Sequence, residues 1–150
     1  EGQVPAIAYA QGPKGPLYFT QEDIKTLIHC KAAAFTMVAT LLDACGLGPE
    51  NLGAVYLAGG FGEHLDLESA ITVGMYPDLP RERFHILGNS SLKGAQHLLL
   101  DRACLDRVRE FAARAEYVQF GEMEKFLENM VAAEFIPHTN AGLFPSVTHK

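Results

Sequence analysis

Between Thr20 and Gly46 the apolar residues recur every three or four positions, and after Gly53 they become an unbroken run, Ala54-Val-Tyr-Leu-Ala58. A period near 3.6 followed by a short continuous run predicts a helix and then a buried parallel strand. The helix, residues 21–45, carries Ile24, Leu27, Ile28, Phe35, Val38, Leu41 and Leu42 on that spacing and is expected to be the longest or second longest. Thr20 with Asp23 resembles a capping box, with Asp in place of Glu, and Gly46 supplies the stop. Few charges follow Lys31, so the helix is expected to be covered on most sides, packed on a sheet and touched by a neighbour. This change of period argues against both a helical bundle and a β-sandwich.

The flanking segments extend the pattern. Val4–Ala10 and Leu17–Phe19 are short apolar runs joined by Gln11–Pro16, where Gly and Pro supply turn dihedrals, so a β-hairpin is expected, with Pro5 at an edge. Asp66 caps a helix that runs to about Gly74 or Met75, and Pro77 and Pro80 end it. Phe84–Leu87 is the next strand. Gly88-Asn-Ser90 then opens a second long, half-exposed helix with Leu92, Ala95, Leu99, Val108 and Phe111 on its stripe. A brief strand at Tyr117–Phe120, a helix at Glu122–Ala133 and an irregular tail follow. The order predicts an α/β fold, a mixed sheet flanked by helices, in one domain. Ligands on such sheets bind at the carboxyl ends of strands, which directs attention to residues 58–63 and 87–91.

Charge and cysteine usage narrow the function classes. The 150 residues include 12 Lys+Arg against 18 Asp+Glu, a net charge of -6 without a basic patch, which argues against nucleic acid. No apolar run is seen to approach the roughly 20 residues of a bilayer crossing, so no membrane partner and a cytoplasmic location are expected. Cys30 and Cys45 would lie about 22 Å apart on a continuous helix and cannot pair; with Cys104 they are expected to be buried, reduced thiols. His64-Leu-Asp66 places two metal-ligating residue types close together, but no metal is expected. The chain lacks an initiator Met, and it is read as part of a longer one.

Gly59, Gly60 and Gly62 remove side chains where the buried strand ends, so backbone can approach a ligand closely and adopt positive φ. A dinucleotide fingerprint fails because Leu65 stands at its third glycine, and no Lys-Ser or Lys-Thr follows to make a P-loop. A tight strand-to-helix connection without a ligand is the alternative.

Val55-Tyr-Leu-Ala-Gly-Gly60 before a capped helix resembles the adenosine motif of the sugar kinase, actin and heat-shock chaperone superfamily. Four further stretches extend the likeness: Ile24–Ala34 after Thr20-Gln-Glu-Asp23, Gly88–Ala95, Phe135-Ile-Pro-His138 and Leu143-Phe-Pro145. Together they resemble the C-terminal part of reductive activators of corrinoid proteins, over nearly all of the chain. That resemblance implies an RNase H-like, actin-like ATPase subdomain, the C-terminal half of its ATPase domain, inactive alone. It implies ATP, with Mg in the full-length protein, as the ligand. In the parent protein it implies an N-terminal 2Fe-2S domain that passes an electron to a corrinoid protein, taking Co(II) to Co(I). Gly59, Gly60 and Gly62 would be backbone contacts to adenosine, and Phe61 a packing residue. Gln21, Asp23 and Lys31 would line the far side of adenine and ribose. Asn89 would donate to the nucleotide, or simply cap its helix, as Asp66 caps another. Catalytic residues are not recognisable. Ala10-Gln-Gly-Pro-Lys-Gly15 lacks the superfamily's phosphate-hairpin pattern, and the cysteine ligands of a cluster are absent. Two other readings stand beside this one. The first is a non-catalytic module docking a corrinoid protein or forming a homodimer, through the apolar tail with Phe126, Met130, Phe135, Ile136 and Phe144. The second is a fragment of a sugar or acetate kinase.

Overall fold

The computed structural model describes residues 5–123 and 125–147. Val4, expected in the first strand, and Glu124, expected in the last helix, lie outside the described residues. The chain opens with a hairpin of β1 (Ala6–Gly12) and β2 (Gly15–Thr20), antiparallel from Ala6 opposite Thr20 to Gly12 opposite Gly15. The helix α1 (Gln21–Ala44) starts at a complete capping box: the Thr20 side chain accepts from the Asp23 amide at 3.1 Å, and Asp23 Oδ2 accepts from the Thr20 amide at 2.8 Å. β3 (Val55–Ala58) pairs in parallel with β4 (Phe84–Gly88), Val55 opposite Phe84 and Ala58 opposite Gly88. Between them lie α2 (Gly59–His64) and α3 (Leu67–Thr72), and after β4 come α4 (Ser90–Leu100), α5 (Ala103–Arg114) and α6 (Phe126–Ala133).

The α/β class is as expected, and the described strands form two separate two-stranded sheets. The core gathers Ala32 and Phe35 of α1, Ile71 of α3, Leu79, Phe84 of β4, Ala133 of α6 and Phe144 of the tail, with Val55 and Leu57 packed against them. Two fully buried alanines, Ala32 and Ala133, sit where α1 meets α6, and their small side chains permit close approach of the two helices. Arg81 ties the loop before β4 to its surroundings: it donates to Glu68 with two nitrogens at 2.8 Å each, to Asp78 at 2.8 Å and to Ser146 at 3.0 Å.

Several boundaries differ from expectation for local reasons. The glycine segment is not a loop: it forms α2, and the helix expected after Asp66 is the short α3, capped by Asp66 Oδ1 accepting from the Ser69 amide at 2.8 Å. The second long helix breaks at Asp101, whose carboxylate accepts from the Ala103 amide at 2.9 Å and restarts the chain as α5. Neither α4 nor α5 has a buried residue, so this pair is more exposed than the half-exposed helix expected. Tyr117–Phe120 is not a strand; a single 3-10 turn, Phe120–Glu122, stands there instead. Cys30 and Cys45 are exposed and Cys104 half-buried, all three as free thiols, so the expectation of buried cysteines fails. α1 is also long and apolar enough to cross a bilayer by length and composition, which corrects the expectation that no such stretch exists. Here it lies against the core along one face, with Phe35 in the apolar cluster and Lys31 buried, but Ile24, Leu27, Met37 and Leu41 are exposed, so the expectation that it is covered on most sides fails.

Candidate functional site

Parallel pairing brings the carboxyl ends of β3 and β4 together, so Gly59 and Asn89, the residues that follow Ala58 and Gly88, leave the sheet at the same edge. Gly59, at the junction of β3 and α2, has φ +89°, a left-handed value that favours glycine. Gly60 does not need positive φ, and a Cβ on either Gly59 or Gly60 would meet no atom within 4 Å. Their backbone therefore faces open space. Gly62 is different: it is buried, and a Cβ there would come within 3.3 Å of the Leu57 Cβ, so its small size lets α2 lie on β3. The three glycines divide into an open pair and a packing residue.

Phe61, expected to pack inside, is 68% exposed. It lines a cleft of about 450 Å³ together with Tyr9 and Tyr18 of the hairpin, Asp23 and Thr26 of α1, and Met75. The structure thus brings Phe61 and the first turns of α1 to one cavity, while Gly59, Gly60 and Gly62 are not among the residues that line it. Within it Asp23 is held by its cap: Thr20 Oγ1 donates to Oδ2 at 2.7 Å, and these hydrogen bonds hold the carboxyl below its usual range. Both bonds fall on Oδ2, which leaves Oδ1 to accept from a ligand. No Lys or Arg is among the described residues that line the cleft. Its chemistry is aromatic and hydrogen-bonding, with one negative charge.

The other expected contacts are placed elsewhere. Gln21 is exposed at the first position of α1, its amide donating to the Pro5 carbonyl at 3.2 Å, and it does not line the cleft. Lys31 points away from the cleft into the interior, where Nζ donates to the Phe135 carbonyl and, at 2.7 Å, to that of Pro137. Burial pushes its pKa down to about 8. Asn89 caps α4, its Oδ1 accepting from the Leu92 amide at 2.9 Å. His64 and Asp66 join no group of three metal-ligating side chains among the described residues. The hairpin aromatics Tyr9 and Tyr18 were not anticipated; their one sequence signal is the presence of tyrosines in a run too short to bury them.

A family model described as the C-terminal domain of RACo, the ASKHA domain, matches residues 3–148. The corrinoid activation enzyme RamQ of Eubacterium limosum is 24% identical over 123 residues, 81% of this chain and 21% of that protein. A Co(II) methylated amine-specific corrinoid protein reductase of Methanosarcina barkeri is 29% identical over 115 residues, 75% of this chain and 21% of that one. Among solved structures, a reductive activator for corrinoid, iron-sulfur protein superposes with a TM-score of 0.89 at 39% identity, over 98% of this chain and 24% of that chain. The chain spans about a fifth of the length of the curated relatives.

Proposed function

The chain belongs to the family of RACo C-terminal domains, the ASKHA domain, and from that membership we propose that it is the adenosine-binding portion of an ATP-dependent reductive activator of corrinoid proteins. One observation carries the proposal: the open backbone of Gly59 and Gly60 leads directly into Phe61, which shares a cleft with Asp23 and two tyrosines. These residues fit a nucleoside. Aromatic faces at Phe61, Tyr9 and Tyr18 suit stacking on a base, bare glycine backbone admits close approach, and Asp23 Oδ1 suits the hydroxyls of a ribose. The same lining does not fit a triphosphate, since it offers no cation. We therefore assign phosphate and Mg contacts to parts of the parent protein beyond these 150 residues, and make this chain the C-terminal half of its ATPase domain.

ATP, when bound, supplies the free energy that an uphill reduction of Co(II) to Co(I) requires. What this chain contributes is orientation: Gly59 and Gly60 set the backbone against the nucleoside, and the capped Asp23 holds a fixed acceptor opposite. The three free cysteines do not form a cluster site, so we place the 2Fe-2S group in the N-terminal region of the parent. A corrinoid protein is the partner, and the cytoplasm, where ATP is available, the location.

The test uses the full-length protein carrying Gly60→Val. Because Gly60 sits in open space without positive φ, the fold should melt as wild type does. A side chain in the space assigned to the nucleoside should weaken ATP binding by about tenfold or more, about 1.4 kcal/mol. ATP-dependent corrinoid reduction should fall with it. Unchanged ATP affinity and unchanged reduction would remove the adenosine assignment.

A second reading, a docking module for a corrinoid protein or a second copy, is favoured by α4 and α5, where Leu99 is 84% and Phe111 77% exposed. It gains if Gly60→Val leaves ATP binding intact. The 150-residue chain alone is expected to bind adenosine nucleotides weakly and to release no phosphate from ATP, since half a cleft supplies few contacts against the cost of association. Calorimetry and a phosphate-release assay check the two parts, and turnover by the isolated chain would mean that the catalytic groups lie within it.

A further inference from the structure

A second cavity lies towards the far end of α1, against α6. It encloses about 190 Å³ and is lined by Thr40 and Asp43 of α1 with Lys125, Phe126 and Asn129. Asp43, Lys125 and Asn129 also border an adjoining cavity of about 280 Å³, whose other walls are mainly apolar and include Phe35, Leu42 and Leu143. The first chamber, whose wall also includes Met123, and the larger apolar one thus share Asp43, Lys125 and Asn129 as a polar rim.

Thr40 is only 3% exposed, and its hydroxyl oxygen is buried without a hydrogen-bond partner among the described residues. A threonine inside a helix ordinarily bonds back to the carbonyl four residues earlier, as Thr26 does to Glu22 at 3.0 Å, and Thr40 does not. Thr36, one turn earlier, is also buried and unpartnered among the described residues but lines neither cavity; Thr40 differs in standing on a cavity wall, where another polar group can reach it. The rim offers opposite charges: Asp43 and Lys125 both line the cavity, and among the described residues neither takes part in an ion pair. Asn129 adds an amide that both donates and accepts.

We propose that this paired cavity binds one small zwitterion with an apolar side chain, of the chemical class of an aliphatic α-amino acid. Asp43 takes the ammonium, Lys125 and Asn129 take the carboxylate, and the Thr40 hydroxyl gains the partner it lacks. The apolar chamber beside Phe35, Leu42 and Leu143 takes the aliphatic group. Both volumes fall below the roughly 300–1,000 Å³ of drug-sized sites, which limits the occupant to a single small molecule. An ordered water would satisfy Thr40 alone and leave the apolar chamber without an occupant. The site lies on α1 beyond the aromatic cleft and does not rest on the nucleotide assignment.

Titration calorimetry of the intact protein with L-leucine tests this, with 4-methylpentanoate and 3-methylbutylamine as probes carrying one charge each. Leucine is expected to bind, and each half-ligand to bind at least about tenfold more weakly. Thr40→Val keeps the shape and removes only an unpartnered hydroxyl, so the variant should melt no lower than wild type yet bind leucine about tenfold more weakly. A crystal soaked in leucine should show density at Thr40 and Asp43. The proposal is overturned by absent leucine binding, by equal binding of the half-ligands, by unchanged affinity in Thr40→Val, or by water alone in the soaked cavity.

Discussion

Gly74→Ala is expected to destabilise the protein by about 3 kcal/mol or more, the largest effect of any single methyl group added to this chain. Gly74 ends the turn after α3 with φ +80°, where an L residue is strained. A Cβ there would also overlap the carbonyl oxygen of Pro137, and backbone cannot swing aside as a side-chain end can. The two penalties act together, since relaxing the dihedral would move the turn that carries Met75 into the core. Urea unfolding of wild type and variant measures the difference. A variant that unfolds at the wild-type midpoint would show that the tail at 135–138 is not seated on this turn. The contrast with Gly60→Val is informative: one glycine is required by the fold, the other is open to a ligand.

The second large effect belongs to Lys31. Its amine is fully buried and donates to the carbonyls of Phe135 and Pro137, so it fastens the tail to α1. Lys31→Met retains the length of the side chain but leaves two carbonyls without a donor, at about 1–3 kcal/mol each. The pH dependence has a definite sign. Burial lowers the folded pKa from 10.5 to about 8, so between these values the unfolded chain binds more protons than the folded one. Stability therefore rises with pH across that window, because the cost of burying the charged form disappears as the amine loses its proton. His138 nearby has its pKa lowered by burial and by the Lys31 charge, and it titrates well below this range. Measured as the difference between wild type and Lys31→Met, which cancels the other titrating groups, the stability gap should widen from about pH 8 to 10.5. A gap that stays flat or narrows would mean that the ammonium is solvated in the folded protein.

Lys31 also shows where sequence reasoning stops. Its partners lie 104 and 106 positions along the chain, and no pattern near residue 31 announces them. The family resemblance places it on the far side of adenine and ribose; in the fold it is an interior fastener. Phe61 and Gly62 exchange roles for a similar reason. The packing of α2 on β3 turns Gly62 inward against Leu57 and leaves the large aromatic outside.

What the amino-acid order determined by itself was much of what contacts three or four residues apart govern, although the helix at Gly59–His64 and the break at Asp101 are equally local and were not read from it. The caps at Thr20, Asp66 and Asn89, the helix ending near Gly46 and the run from Val55 to Ala58 are all local hydrogen bonding or local periodicity. The likeness of the glycine segment and four other stretches to corrinoid reductive activators is likewise carried by the sequence itself. The tertiary structure alone decided which of these residues meet. It joined Asp23 to Phe61 across the cleft, left Thr40 without a partner among the described residues, placed Cys30 and Cys45 outward and divided the described strands into two pairs. Such outcomes depend on how helices and strands distant in sequence are pressed together to bury apolar surface, and a side chain's surroundings then belong to its neighbours in space.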